Sequence, residues 1–127
     1  MQLDIKEQSL ILEGKKYSRK ELMSLSANAT GDNTSSFLLD LYRFLADWFS
    51  DSPFMTVHTS GSTGTPKVLT VRKEQMMQSA RMTCEFLNLH TGDTALLCMP
   101  LQYIAGKMMV VRALVAGLNL ILRTPSG

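Results

Sequence analysis

The chain has 127 residues, enough to bury one useful hydrophobic core as a single domain. Its 45% hydrophobic and 19% charged residues are those of an ordinary soluble globular chain. A net charge of +2 is too small to argue for a nucleic acid partner or a membrane surface, and no basic run with interleaved aromatics appears.

Met1 is followed by Gln2-Leu3-Asp4-Ile5-Lys6-Glu7 with no apolar core, so no signal peptide is expected. Residues 9–13 alternate as a short strand, and Gly14-Lys15-Lys16 is predicted to turn. Ser18 can cap a helix over residues 19–26, with Glu21 at the capping-box position. A polar stretch over 28–34 breaks it. Residues 36–49 then carry Phe37, Leu38, Leu41, Phe44, Leu45 and Trp48 at helical spacing, with Asp40, Arg43 and Asp47 off that stripe, which predicts an amphipathic helix facing the core. The aromatics, Trp48 included, are read as packing and not as a cofactor site.

Pro53 marks the start of a strand over 54–59, and Val68-Leu69-Thr70-Val71-Arg72 alternates as its return. Residues 74–87 suit a helix with Met76, Met77, Ala80, Thr83, Cys84 and Leu87 on the buried side. His90 is expected at its end, favoured by the negative pole of the helix. With only His58 as a distant companion, His90 predicts no metal site. Residues 95–99 read as a buried strand, 105–116 as a mostly apolar helix and 118–122 as another buried strand. Strand, helix, strand, helix, strand in succession predicts an α/β fold, mainly a parallel sheet flanked by helices, with a short hairpin around the loop at 59–67. The longest apolar stretch, 108–122, is interrupted by Arg112 and Asn119 and is too short to span a bilayer, so no membrane partner is expected. Cys84 and Cys98 are isolated in apolar surroundings, the pattern of buried reduced thiols in a cytoplasmic protein.

The chemistry is concentrated in Thr59-Ser60-Gly61-Ser62-Thr63-Gly64-Thr65-Pro66-Lys67. Gly61 and Gly64 permit backbone conformations closed to other residues and let amide N–H groups approach an anion, the hydroxyls donate hydrogen bonds, and Lys67 adds a flexible positive charge. A Ser/Gly-rich surface turn would explain the glycines but not the ordered hydroxyls ending in Pro-Lys. The nucleotide-binding P-loop does not fit either. Counted from Gly61, its second glycine falls on Pro66, Lys67 is followed by Val68 instead of a hydroxyl, and the loop returns into a strand instead of opening a helix.

This nine-residue run resembles the signature loop of the acyl-adenylate-forming enzymes, a superfamily that includes acyl-CoA synthetases, luciferases and peptide-synthetase adenylation domains. Leu97-Cys98-Met99-Pro100-Leu101-Gln102-Tyr103-Ile104-Ala105-Gly106 is similar to the family segment that follows the loop at this distance. The short stretch before the loop is most like that of the o-succinylbenzoate-CoA ligases of menaquinone biosynthesis. Two positions depart from the family pattern. Val68 stands where glycine is usual, which suits the outgoing strand, and Tyr103 stands where many CoA ligases have the histidine that lies near the acid and the adenylate. Tyr103 is therefore either a substrate contact or an amphipathic residue packed at a helix entrance.

The resemblance implies an enzyme that activates a carboxylic acid with ATP and Mg2+ to an acyl-adenylate and pyrophosphate, then passes the acyl group to coenzyme A. Carboxylate attack at the α-phosphorus expels pyrophosphate, so donors must hold the β- and γ-phosphates as charge builds. It implies ATP-binding roles for Thr59, Ser60, Gly61, Ser62, Thr63, Gly64, Thr65 and Lys67. Lys67 is the catalytic candidate, Ser60, Ser62, Thr63 and Thr65 are hydroxyl donors, and Thr59 alternatively serves the strand end. Tyr103 and Gly106 are implied on the substrate side.

Family enzymes have a large N-terminal part and a small mobile C-terminal domain. Residues 1–127 are thus expected to be a cut N-terminal segment of the large domain, inactive by itself, without the adenine and ribose motifs and the C-terminal lysine. Part of its surface would lose its covering, so self-association is expected. The readings from other classes are a noncatalytic module whose loop binds phosphate, and a purely structural domain.

Overall fold

In a computed structural model the described residues are 1–59, 65 and 67–124. After a 3-10 turn at Ile5–Glu7 the elements are β1 (Ser9–Leu12), β2 (Lys15–Ser18), α1 (Arg19–Asn28), α2 (Ser36–Trp48), β3 (Phe54–Thr59), β4 (Lys67–Arg72), α3 (Lys73–Phe86), β5 (Thr94–Leu97), α4 (Ile104–Ala116) and β6 (Asn119–Leu122).

The main sheet runs β2-β1-β6-β5, with β1–β6 and β5–β6 parallel and β1–β2 antiparallel. The α/β class is as predicted, and β5, α4 and β6 form a parallel strand-helix-strand unit. The membership of the sheet differs from expectation. β3 and β4 pair as the hairpin expected around the loop, but they form a separate two-stranded antiparallel sheet, so β4 does not lead the parallel series and β1 pairs with β6 instead. β4 runs straight into α3, and the Lys73 N–H donates to Pro53 O at 2.9 Å, tying the hairpin back onto the connection from α2.

A second difference lies at the first turn. Glu13 and Gly14 both take positive φ, 50° and 84°, which is the pattern of a two-residue hairpin turn, so Lys15 and Lys16 are strand residues and not turn residues. Ser18 caps α1 as expected, its side chain accepting from the Glu21 N–H while the Glu21 carboxylate accepts from the Ser18 N–H. Those bonds hold the Glu21 carboxyl below its ordinary range.

The core is built on α2 and α4. Leu41, Phe44, Leu45 and Trp48 are buried as the helical stripe requires, Phe37 and Leu38 pack against them half-buried, and Tyr42 joins the core although it was not on the predicted stripe. Phe44 and Trp48 stack with ring centroids 6.0 Å apart. The Trp48 indole N–H donates to the Gln8 side-chain oxygen at 2.8 Å, and the Gln8 amide donates to Gln2 O at 2.9 Å, which satisfies a polar side chain sunk in the core.

On α3, Met76, Met77, Ala80 and Cys84 are buried. Leu87 is not, because the helix ends at Phe86 and Leu87 turns out to solvent; Thr83 is half-buried. Lys73, outside the predicted helix, is buried at its first position. His90 lies beyond the helix end, exposed, in a turn where its N–H donates to the Asp93 carboxylate. β5 is an edge strand and half-exposed instead of buried, with Leu96 open to solvent, and Cys98 just after it is exposed while Cys84 is buried. Such an edge is the kind of surface on which the expectation of self-association rests. Among the described residues no helix is long and apolar enough to cross a membrane.

Candidate functional site

Strand alternation determines what the β3–β4 hairpin presents. Met55 pairs with Val71, Val57 with Leu69 and Thr59 with Lys67, so these six residues share one face. Met55 and Val57 bury that face in the core, which anchors the hairpin at its base. Phe54, Thr56 and His58, paired with Arg72, Thr70 and Val68, take the other face.

At the open end Thr59 and Lys67 stand directly opposite each other as the last pair before the loop. Two of the predicted phosphate-binding residues are therefore the posts from which the loop springs. Thr59 is half-buried, and Thr65 and Lys67 are exposed. Lys67 opens strand β4, which agrees with the sequence argument against a P-loop, where the lysine opens a helix. Ser60, Gly61, Ser62, Thr63, Gly64 and Pro66 lie outside the described residues.

The second predicted segment comes to the same place. His58, next to Thr59, forms a parallel bridge with Tyr103, which is the N-cap residue of α4. Tyr103 is thus brought beside the mouth of the loop from a distant part of the chain. The Tyr103 side chain makes no capping hydrogen bond to α4, and the helix N-terminus lies on the Tyr103 side of the bridge.

Gly106, in the first turn of α4, has a clear packing role. A Cβ built there would stand 2.4 Å from Pro100 O and 3.0 Å from Pro100 C, so only glycine lets the helix close onto the 100–103 turn. Within that turn the Tyr103 N–H reaches Pro100 O at 3.4 Å, and the Lys107 N–H donates to Tyr103 O at 3.2 Å. Gly106 therefore sets the seat of Tyr103.

Two lysines matter that the motifs did not single out. The Lys107 ammonium donates to Leu101 O at 2.6 Å and stands 5.9 Å from the centre of the Phe44 ring. Burial pushes its pKa down, against the opposing pull of Asp47 and Asp40. One of two charges, with Arg112, inside a mostly apolar helix was the available signal. The Lys73 ammonium donates to Ser50 O at 3.1 Å and to the Ser50 hydroxyl at 3.3 Å, and burial again lowers its pKa while Asp47 and Asp51 oppose. Lys73 sits at the base of the hairpin, away from the loop, and ties α3 to the end of α2. Among the described residues no group of three or more His, Cys, Asp or Glu side chains is placed to hold a metal ion.

The model of the AMP-binding enzyme family matches residues 3–127. A 2-succinylbenzoate–CoA ligase from Enterococcus faecalis is 39% identical over 64 residues, covering 50% of this chain and 13% of that enzyme, so the match spans only about an eighth of the relative's length. The crystal structure of an acyl-CoA synthetase (AMP-forming)/AMP-acid ligase II-like protein from Dyadobacter fermentans superposes with a TM-score of 0.69 at 35% identity, over 82% of this chain and 29% of that one. The o-succinylbenzoate coenzyme A synthetase of Bacillus subtilis, solved in complex with ATP and magnesium ion, shares the fold with a TM-score of 0.58 at 16% identity, over 98% of this chain and 43% of that one. With the hairpin, its loop posts and the bridged Tyr103 segment in this arrangement, the chain belongs to the AMP-binding enzyme family.

Proposed function

We propose that residues 1–127 are the opening segment of the large domain of an AMP-forming acid–CoA ligase that acts on o-succinylbenzoate in menaquinone biosynthesis. The observation that carries the reading is the bridge between His58 and Tyr103, which gathers both motif segments at the mouth of one loop. The ligase named from Enterococcus faecalis and the ATP-bound synthetase from Bacillus subtilis support the choice of acid and of ATP with Mg2+.

In this reading an oxygen of the acid's carboxylate attacks the α-phosphorus of ATP, the bond to pyrophosphate breaks, and the acyl-adenylate forms. The coenzyme A sulfur then attacks the acyl carbon and AMP leaves. Charge gathers on the departing pyrophosphate. Lys67, exposed at the loop post, supplies positive charge to it, while the hydroxyls of Ser60, Ser62, Thr63 and Thr65 and the backbone at Gly61 and Gly64 donate hydrogen bonds. Thr59 anchors the loop at the opposite post. The N-terminus of α4, with Tyr103 as its N-cap residue, adds a favourable field for anionic groups on the Tyr103 side. Tyr103 contacts the acid, seated by Gly106. We place the parent enzyme in the cytoplasm, with Cys84 and Cys98 reduced.

The test uses Lys67→Ala. Calorimetric titration of the 127-residue chain with pyrophosphate should give weak binding that the substitution removes. In a full-length parent the same change should lower adenylate formation by about 100-fold or more, the scale of losing one donor to a developing anion. Normal activity in that variant would sink the assignment.

A further inference from the structure

Lys107 lies on the face of α4 that meets α2 and the 100–103 turn, not on the loop. Its ammonium donates to Leu101 O at 2.6 Å, and Leu101 is itself buried. Around it is a small cavity of about 170 Å3 whose charged lining is Asp40, Arg43 and Asp47 of α2, with Phe44 and Gln102 completing the wall that matters here. The ring of Phe44 and the two carboxylates favour the charged form of the amine, whereas burial disfavours it. An ammonium is held there although an apolar side chain would suit the rest of the helix better.

The consequence is mechanical. Leu101 O sits in the turn whose next residues are Gln102 and Tyr103, and Tyr103 is bridged to His58 one residue before the loop post Thr59. The turn is held from two sides: Gly106 allows α4 to close on Pro100, and Lys107 draws Leu101 toward the same helix turn. We infer that Lys107 is a positioning residue, which pins the 100–103 turn so that Tyr103 keeps its register beside β3 and the phosphate loop keeps its mouth. It acts through Leu101 and Tyr103 and touches no reacting atom. The ligand half of this inference rests on the proposed function; the structural half does not.

The experiment takes the 127-residue chain with Lys107→Met, which keeps an apolar stem and loses the donor, Lys107→Gln, which is shorter and uncharged, and Lys107→Arg, which keeps charge and donors. Amide hydrogen exchange is followed at Tyr103 and His58, with amides of α2 as the measure of global opening. Pyrophosphate affinity is measured in parallel. The expected result is exchange at Tyr103 faster by about tenfold in the Met and Gln variants with α2 unchanged. Pyrophosphate affinity should fall several-fold, and Arg should restore both. If the Met variant loses the wild-type Trp48 fluorescence, the Gln variant carries the test. Unchanged Tyr103 exchange in a folded variant overturns the inference, as does unchanged affinity. Should the wild-type chain not bind pyrophosphate at all, the proposed function fails at the loop, and exchange at Tyr103 still decides whether Lys107 positions the turn.

Discussion

Gly106→Ala is the most direct probe of the contact that seats the Tyr103 segment. The added Cβ would meet Pro100 O at 2.4 Å, Pro100 C at 3.0 Å and the Leu101 Cα at 3.3 Å. All three are backbone atoms in a turn that is also hydrogen-bonded to Tyr103 and Lys107, so none can swing aside as a flexible side chain would. The helix has to lift off the turn. Overpacking of this kind costs about 1 to 3 kcal/mol. Against it stands a gain in helix propensity of at most about 1 kcal/mol, smaller near a helix end. The net expectation is a loss of about 1 to 2 kcal/mol, which at a urea dependence of roughly 1.5 kcal/mol per molar moves the unfolding midpoint down by about 1 M. Trp48 is the assay, being the single tryptophan of the chain and fully buried. Gly31→Ala is the control, since nothing lies within 4 Å of a Cβ built there. A Gly106→Ala chain as stable as the wild type, or more stable, would refute the claim that close approach to Pro100 demands this glycine.

Two further outcomes follow from the buried polar groups. Gln8→Leu keeps side-chain volume but removes the acceptor of the Trp48 indole N–H and the donor to Gln2 O; a loss of about 2 to 3 kcal/mol is expected in the same urea unfolding, and a change under about 0.5 kcal/mol would mean the indole finds another partner. Lys73 has its folded pKa lowered below 10.5, mainly by burial, so the unfolded chain binds that proton more readily, and stability gains as pH rises from the lowered value toward 10.5. Lys73→Met should remove its share of that gain, leaving the part due to Lys107, whose pKa is lowered in the same sense. Parallel stability profiles of variant and wild type between neutral pH and about pH 10 would contradict this sign.

Local patterns were legible wherever one element settles its own energetics. The Ser18–Glu21 capping box formed as read, because both partners lie within one helical turn. The buried stripe of α2 was read nearly whole, and β3 ended where Pro53 and Thr59 framed it. The returning strand was legible too, from the alternating run after Lys67, although Lys67 itself proved to be its first residue. The misses have a common character. Leu87 looked buried by spacing alone, but the helix stopped one residue earlier. Cys98 and β5 looked buried by composition, but their position at a sheet edge left them open. Lys15 and Lys16 looked like a turn until the positive φ of Glu13 shortened it.

What the sequence determined by itself was most of the elements, β2 excepted, and the resemblance that the loop carries, since each depends on residues close together in the chain. Which strands share the parallel sheet was decided only by the tertiary structure, because β1 and the β3–β4 hairpin have similar alternation and only long-range pairing with β6 separates them. The same holds for the site: the bridge of Tyr103 to His58, the close seat of Gly106 on Pro100 and the buried ammonium of Lys107 join residues whose contact no local periodicity encodes. Lys107 reads as one of two charges in a mostly apolar helix until the backbone oxygen it holds is known.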